Sequence, residues 1–139
     1  MRFALKRQLT VSLQNQPGRL AEVSELIASH GFNIEALCVI DNNEQSVVRL
    51  LVDDPAKCKD ALIEGGFYVV EAEVLAIPLA DRRGKLAEVT RALATARLNI
   101  DYAYATVDHA DHAKRSLFIL KVSNVRMAEQ VLGGLVDKD

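Results

Sequence analysis

The fold is decided by residues 16–34, QPGRLAEVSELIASHGFNI, because the chain carries a second version of this stretch. Residues 82–100 are RRGKLAEVTRALATARLNI, and the two align without a gap at an offset of 66. A period near 66 is too long for a solenoid repeat and indicates a duplicated small domain. Eight of the nineteen positions are identical: Gly18/Gly84, Leu20/Leu86, Ala21/Ala87, Glu22/Glu88, Val23/Val89, Ala28/Ala94, Asn33/Asn99 and Ile34/Ile100.

The hydrophobic pattern around the repeat is the same in both copies. Apolar residues alternate over 8–13 and 75–79, which predicts a half-buried strand. Apolar spacing of three and four residues then predicts an amphipathic helix over 17–30 and over 83–96. Pro17 suits the first helical position and Gly31 a C-terminal cap, whereas Arg97 stands where a glycine would be and predicts a different cap.

Each copy continues with two strands, a second helix and a final strand. The strands are expected at 34–40 and 47–52 in the first copy and at 100–107 and 118–122 in the second. Asp53, Asp54, Ser123 and Asn124 supply N-cap chemistry for the second helices, which we expect to end at Gly65-Gly66 and Gly133-Gly134. The run 67–73 predicts a fourth strand, and in the second copy that strand is short or missing.

The predicted fold class is therefore α+β, with two ferredoxin-like βαββαβ units. We expect antiparallel sheets that pair at their edges and carry both helices on one face, since edge pairing covers strands that would otherwise aggregate. The predicted domains are residues 1–72 and residues 73–139, named here the first and second copy.

Composition excludes several function classes. The chain has 139 residues and a net charge of −2, which argues against electrostatic binding to nucleic acid or an anionic membrane. No apolar run is long enough to span a bilayer, and the N-terminus does not resemble a secretory signal. Cys38 and Cys58 form no disulfide framework, so we expect a cytoplasmic protein.

The repeated motif resembles the ACT domain family. The first copy has Asn15-Gln16-Pro17-Gly18-Arg19-Leu20, a helix, and then Gly31-Phe32-Asn33-Ile34. The second has Asp81-Arg82-Arg83-Gly84-Lys85-Leu86 and later Leu98-Asn99-Ile100. The resemblance covers nearly the whole chain and implies a protein that binds a small metabolite, usually an amino acid, and regulates enzymes of amino-acid metabolism.

The resemblance also implies where a ligand would bind. Ligands of the family lie where two domains pair, between the loop before the first helix of one domain and the start of the second strand of its neighbour. The candidates carried over by position are Asn15, Gln16, Pro17, Gly18, Asn33 and Ile34 in the first copy, and Asp81, Arg82, Arg83, Gly84, Asn99 and Ile100 in the second. Because the second loop has Arg83-Gly84 where the family usually has Pro-Gly, the first copy is the favoured site.

The chemistry of these residues suits a zwitterion. Free N–H groups at a helix start favour a carboxylate, and glycine lets a backbone approach a ligand closely. Asn15 and Asn33 can donate and accept, Asp81 can bind an ammonium group, and Arg82 or Arg83 a carboxylate. The alternative is purely structural: Asn15 and Asp81 would be N-caps, the two glycines would permit tight helix–sheet packing, and Asn33 and Asn99 would satisfy local backbone.

Other reactive patterns have simpler explanations. Asp108-His109-Ala110-Asp111-His112 has metal-like spacing, but a solvated hairpin loop is the better interpretation, and no metal or cofactor is expected. Cys38 lies in an apolar strand and is expected to be a packed thiol. Cys58, between Lys57 and Lys59, could have a lowered pKa but is expected to be an ordinary thiol on the helix surface.

Three functions follow from the sequence. The first is a non-catalytic regulatory protein that binds an amino acid and forms a homodimer through sheet edges. The second is a regulatory small subunit of a metabolic enzyme, because Asn33–Leu37 resembles the corresponding part of the acetolactate synthase small subunit. The third, a small enzyme, is disfavoured because no acid–base pair is evident.

Overall fold

The secondary structure follows the duplicated pattern. The computed structural model describes residues 3–42, 45–80, 82–107 and 115–136. Their elements confirm the predicted order and form β-α-β-β-α twice, because the strands predicted at 67–73 and 75–79 are one continuous strand. In chain order they are β1 (Ala4–Gln14), α1 (Arg19–Ser29), β2 (Ile34–Asn42), β3 (Gln45–Val52), α2 (Pro55–Glu64), β4 (Tyr68–Ala80), α3 (Lys85–Thr95), β5 (Ile100–Val107), β6 (Arg115–Val122) and α4 (Val125–Val136).

The chain divides into two compact units. The first unit is Arg7–Ala72, and the second consists of Met1–Lys6 together with Glu73–Asp139. β4 is one continuous strand of 13 residues, so no separate linker stands between residues 72 and 73. The domain boundary between residues 72 and 73 stays a prediction.

The first unit is a sheet with both helices on one face. Its strands follow the order β2-β3-β1-β4, and β3 pairs antiparallel with β1 and β2. Alternate residues of the strands share one core with side chains of both helices, which confirms the predicted layering. Complete burial of one such side chain stabilises the fold by about 1.5–3 kcal/mol. The core residues include Leu9, Val11, Leu13, Val23, Ile27, Val48, Leu50, Cys58 and Leu62.

The second unit repeats this arrangement. β6 pairs antiparallel with β4 and β5, and the two helices pack on the alternate buried residues of the strands. No strand follows α4 within the described ranges. Phe3, from the N-terminal segment that belongs to this unit, packs against its core. That core includes Leu75, Ile77, Leu79, Val89, Leu93, Leu120, Ala128 and Leu132.

The first helix of each copy begins later than the sequence predicts. Gly18 is the N-cap of α1 with φ 89°, and Gly84 is the N-cap of α3 with φ 86°. Pro17 therefore lies in the turn before α1, and its assignment to the first helical position was wrong. The alternative that Asn15 caps α1 was wrong for the same reason; Asp81, its counterpart, lies outside the described residues, but the cap of α3 is Gly84.

The C-terminal caps of α1 and α3 are alike, contrary to the prediction from Arg97. Gly31 has φ 81°, and Gly31 N and Phe32 N donate to Ala28 O and Ile27 O at 3.0 and 3.1 Å. Arg97 has φ 61° and makes the corresponding bond to Ala94 O at 2.9 Å, and Leu98 N donates to Leu93 O. This pair of backbone hydrogen bonds is the Schellman motif. Arg97 adopts it in spite of the left-handed conformation that an arginine disfavours.

The second helices confirm one prediction and correct another. Asp54 Oδ1 accepts a bond from Lys57 N at 3.2 Å, and Asn124 Oδ1 accepts one from Met127 N at 3.1 Å, so both residues are N-caps. α2 ends at Glu64 with Gly65 as its C-cap, so the predicted end at the first glycine pair is confirmed. α4, however, continues through Gly133 and Gly134 to Val136. Leu132 and Leu135 contact the core on both sides of the glycines, and their burial offsets the low helix propensity of glycine.

Candidate functional site

A glycine elbow precedes the first helix of each copy. By glycine elbow we mean the loop that ends in Gly18 (residues 15–18) or in Gly84 (residues 81–84). Neither α1 nor α3 has a side chain that caps its first turn, and both glycines are exposed. Uncapped N–H groups at a helix start form a site of positive potential that is suited to an anion.

Glycine is required at the two elbows because of the backbone conformation, and not because a side chain would lack room. A Cβ placed on Gly18 or on Gly84 would meet no atom within 4 Å. The alternative in which these glycines permit tight helix–sheet packing was therefore wrong. Their positive φ is the constraint, because residues with a Cβ disfavour the left-handed region.

The first elbow is tied to the sheet by Asn15. Its Nδ2 donates to Asp41 Oδ1 at 3.0 Å, and Asp41 lies near the end of β2. Gln16 contributes backbone only, since its N–H bonds Gln14 O and its carbonyl accepts Arg19 N. Gln16, Pro17 and Gly18 are all exposed. The loop is thus held in one conformation with its surface open to solvent.

Asn33 and Ile34 lie at the other end of α1. Asn33 N donates to Asp53 Oδ1 at 3.1 Å, and Asp53 N donates back to Asn33 O at 3.3 Å. Ile34 packs against the core. α1 has 11 residues, so about 16 Å separates this strand start from the elbow of the same unit. The first unit therefore does not bring the two groups of candidate residues together.

The second elbow has two cations beside one carboxylate, and one of these cations is buried. Glu88 binds Arg82 at 3.5 Å and Lys85 at 3.3 Å, and the Lys85 side chain is only 3% exposed. Arg19, which occupies the position of Lys85 in the first copy, has 39% of its side chain exposed. Arg83 is exposed, and Asp81 lies outside the described residues. The two cations beside Gly84 thus share one carboxylate.

Asn99 and Ile100 repeat the arrangement of Asn33 and Ile34. Asn99 N donates to Ser123 Oγ at 3.2 Å, and Ser123 N donates to Asn99 O at 3.1 Å. The Asn99 side chain also donates to Asp101 Oδ1 at 2.8 Å. These bonds join two strand ends and are structural, whatever else the asparagines do.

The other reactive groups do not form a site. Burial, with a smaller effect of Asp53 and Asp54, raises the pKa of Cys58 to about 11, so the expectation that its lysine neighbours could lower that pKa was wrong. The prediction of a thiol on the helix surface was also wrong, because Cys58 lies on the inner face of α2 and is completely buried in the core. The described residues contain no cluster of three His, Cys, Asp or Glu side chains placed to hold a metal. The Asp108–His112 loop lies outside the described residues.

A cavity that the sequence did not predict lies beside the first elbow. It has a volume of about 440 Å³ and lies within the first unit. Gln14 and Arg19 flank the elbow in sequence, but they belong to positions where the two copies differ, so a search for repeated residues passes over them. The lining residues are Ser12, Leu13, Gln14, Arg19, Gln45, Gly66, Phe67 and Tyr68.

The fold and the elbows define a class, a tandem pair of ferredoxin-like domains whose first helices both start at a left-handed glycine. A family model described as an ACT domain pair matches residues 4–134. The chain belongs to this family. No helix among the described residues has both the length and the apolar character needed to cross a membrane.

Solved structures and a curated sequence resemble the chain to different extents. The crystal structure of a Bacteroides thetaiotaomicron protein matches at a TM-score of 0.87 and 30% identity, over 95% of this chain and 89% of that one. The ligand-free regulatory subunit of aspartate kinase from Thermus thermophilus matches at 0.67 and 16% identity, over 96% and 97%, and shares the fold. The acetolactate synthase small subunit of Aquifex aeolicus (strain VF5) is 38% identical over 48 residues, which are 34% of this chain and 25% of that protein.

Proposed function

We propose that this chain is a non-catalytic regulatory protein that binds an amino acid through its glycine elbows. The observation that carries the proposal is that both copies present an exposed, uncapped helix start at a left-handed glycine. Family membership of nearly the whole chain makes a metabolite the preferred ligand of such a site.

The elbow chemistry supports binding of the α-carboxylate. N–H groups of the first helical turn and the helix dipole stabilise a negative charge. In the proposed site, Asn15, Gln16, Pro17 and Gly18 form one wall, and the matching residues of the second copy are Asp81, Arg82, Arg83 and Gly84. Hydrogen bonds to charged groups contribute about 1.5–3 kcal/mol each, so a few of them give micromolar to millimolar affinity after ordering costs.

The second wall comes from another domain. Asn33 and Ile34, like Asn99 and Ile100, are too far from the elbow of their own unit, because a helix of 11 residues intervenes. We propose that a second copy of the chain supplies this wall in a homodimer. β2 ends the order of strands in its sheet and exposes 42% of Leu37 and 44% of Val39, which favours pairing at this edge.

Sedimentation tests the homodimer. Val39→Lys places a charge on the exposed edge strand and is expected to convert a dimer to a monomer. Ile63→Lys is the matched control, since Ile63 is 49% exposed but lies on α2. A wild-type chain that sediments as a monomer at all concentrations would contradict the dimer.

A thermal-shift screen against the twenty amino acids tests binding. A ligand at about 100 times its Kd stabilises by about 2.7 kcal/mol, which raises the Tm by several degrees. Gly18→Ala and Gly84→Ala form a matched pair, because each forces a Cβ into the same backbone conformation and meets no other atom. The ligand-induced shift is expected to fall in the variant whose copy binds. Absence of a shift with all twenty amino acids would overturn the proposal.

The second candidate function is a regulatory small subunit of an amino-acid biosynthetic enzyme such as acetolactate synthase. The 48-residue match to the Aquifex aeolicus small subunit favours it. Under this proposal the chain co-purifies with a large catalytic subunit and changes the activity of that subunit when the amino acid is added. Purification of such a complex would distinguish this function from that of a stand-alone regulatory protein.

A further inference from the structure

The cavity beside the first elbow lies at one end of the sheet of the first unit. β1 ends there with Ser12 and Gln14, β3 begins there with Gln45, and β4 begins with Tyr68. Arg19, the first residue of α1, completes the rim and directly follows Gly18. The volume of about 440 Å³ is in the range of small-molecule sites. Four separate segments of the chain thus border one open space next to the elbow.

The lining combines apolar side chains, those of Leu13 and Phe67, with polar ones and carries little net charge. Gln14 and Gln45 have amide groups that both donate and accept, and no carboxylate lines the space among the described residues. Arg19 is the one cation in this lining, and Glu22 binds its NH1 at 3.1 Å. Because Glu22 already balances this cation, the cavity favours an uncharged polar group over a carboxylate.

The guanidinium of Arg19 is held in place before any ligand arrives. Its NH2 donates to Gln14 Oε1 at 3.0 Å while NH1 contacts Glu22. A guanidinium has more N–H groups than these two contacts use, so donors remain for a carbonyl oxygen. Such preorganisation lowers the ordering cost of binding.

The residues that line this cavity differ between the two copies. At the offset of 66, Pro78 and Ala80 stand in place of Ser12 and Gln14. Lys85, in place of Arg19, is buried against Glu88. The second copy therefore lacks both the amide that orients the cation and the exposed cation itself.

We propose that this cavity receives the side chain of the amino acid whose carboxylate binds at the first elbow, and that it selects an uncharged amide side chain, that of glutamine or asparagine. The inference rests on the proposed function. Arg19 and Gln45 then donate to the side-chain carbonyl, and the oxygens of Gln14 and Gln45 accept from its NH₂ group.

Calorimetric titration of the full chain tests the selection. The probes are L-glutamine and L-asparagine, their near-isosteres L-methionine and L-leucine, and L-glutamate. We expect the better amide probe to bind about 10- to 100-fold more tightly than its apolar isostere, since the isostere leaves polar groups unpaired. L-glutamate is expected to bind more weakly than L-glutamine.

Variants locate the effect. Arg19→Met and Gln45→Leu are expected to weaken amide binding about 10-fold or more and to remove the preference over the apolar isosteres. Arg7→Met is the matched control: it also removes an exposed arginine that binds a glutamate, Glu71 at 3.0 Å, but Arg7 does not line the cavity. Melting curves without ligand verify that each variant is folded.

The outcomes separate this inference from the proposed function. Tighter binding of L-leucine, L-methionine or L-glutamate overturns the selection while leaving amino-acid binding intact. Amide binding that is equal in wild type, Arg19→Met and Gln45→Leu overturns the cavity as its site. Absence of binding by all probes and by the other amino acids overturns the proposed function and this inference with it.

Discussion

The two glycine elbows share a backbone and differ in their charges. Gly18 and Gly84 have nearly the same φ, 89° and 86°, and each starts a helix of 11 residues. Beside Gly18, the half-exposed Arg19 is bound by Glu22 and Gln14. Beside Gly84, the buried Lys85 shares Glu88 with Arg82. The backbone requirement has kept both glycines, whereas the neighbouring side chains, which set ligand chemistry, have diverged.

The largest expected effect tests whether the two copies are equivalent in their cores. Ile27 and Leu93 occupy the same position at the offset of 66, and both are almost completely buried. Ile27→Ala and Leu93→Ala are each expected to lower the free energy of unfolding by about 2–5 kcal/mol. Chemical denaturation measures both losses. A loss below about 1 kcal/mol in one of the two variants would show that the two cores are not equivalent in their contribution to stability.

The second effect concerns the N-terminal segment of the second unit. Phe3 is half-buried against that core, so Phe3→Ala is expected to destabilise by about 1–3 kcal/mol, less than a fully buried phenylalanine. Hydrogen exchange is expected to accelerate in α3 and α4 more than in α1 and α2. Faster exchange confined to α1 and α2 would contradict the assignment of this segment.

The third effect compares the acidic partners of the elbows. Glu88→Gln removes a charge that two cations share, one of them buried. This substitution is expected to lower the free energy of unfolding by about 1 kcal/mol. Glu22→Gln removes the partner of one half-exposed arginine and is expected to cost about 0.2–0.5 kcal/mol. Thermal unfolding at low and moderate salt measures both. Equal losses would mean that the second elbow is no more tightly paired than the first.

The last comparison concerns the C-terminal caps of α1 and α3. Arg97→Gly removes the cost of a left-handed arginine, about 1–2 kcal/mol, but it also increases the chain entropy of the unfolded state. The free energy of unfolding is expected to rise by about 0.5–1 kcal/mol on balance. Gly31→Ala, at the same place in the first copy, is expected to cost about 1 kcal/mol. A lower Tm for Arg97→Gly would show that the arginine side chain contributes more than its backbone costs.

The periodic parts of the fold were predictable from the sequence. Alternation in residues 8–13 and helical spacing after residue 18 depend on which side chains face a core, and the structure confirms both patterns. The local errors concern residues whose role tertiary contacts decide. Gly133-Gly134 stays helical because the leucines beside it are held by the core, and Arg97 is left-handed because Leu98 must be buried.

The elbows of the candidate site were predictable and the cavity was not. A repeated glycine is visible in an alignment of the two copies, whereas Gln14 and Arg19 are matched by Ala80 and Lys85. Gln45 and Tyr68 come from the starts of two other strands, and only the sheet order brings them to the same end. The pKa of Cys58 was likewise not predictable from the neighbouring residues. The adjacent lysines predict a lower pKa, but burial of the thiol raises it.

The packing of Phe3 in the second unit has a consequence for the order of folding during synthesis. Phe3 precedes the whole of the first unit in the chain, whereas the core that it packs against is formed by residues that follow that unit. Phe3 therefore has no core to pack against until the first unit and much of the second have been synthesised. A bulky group fused ahead of Phe3 would disturb the second unit more than the first unit, which comes next in the chain.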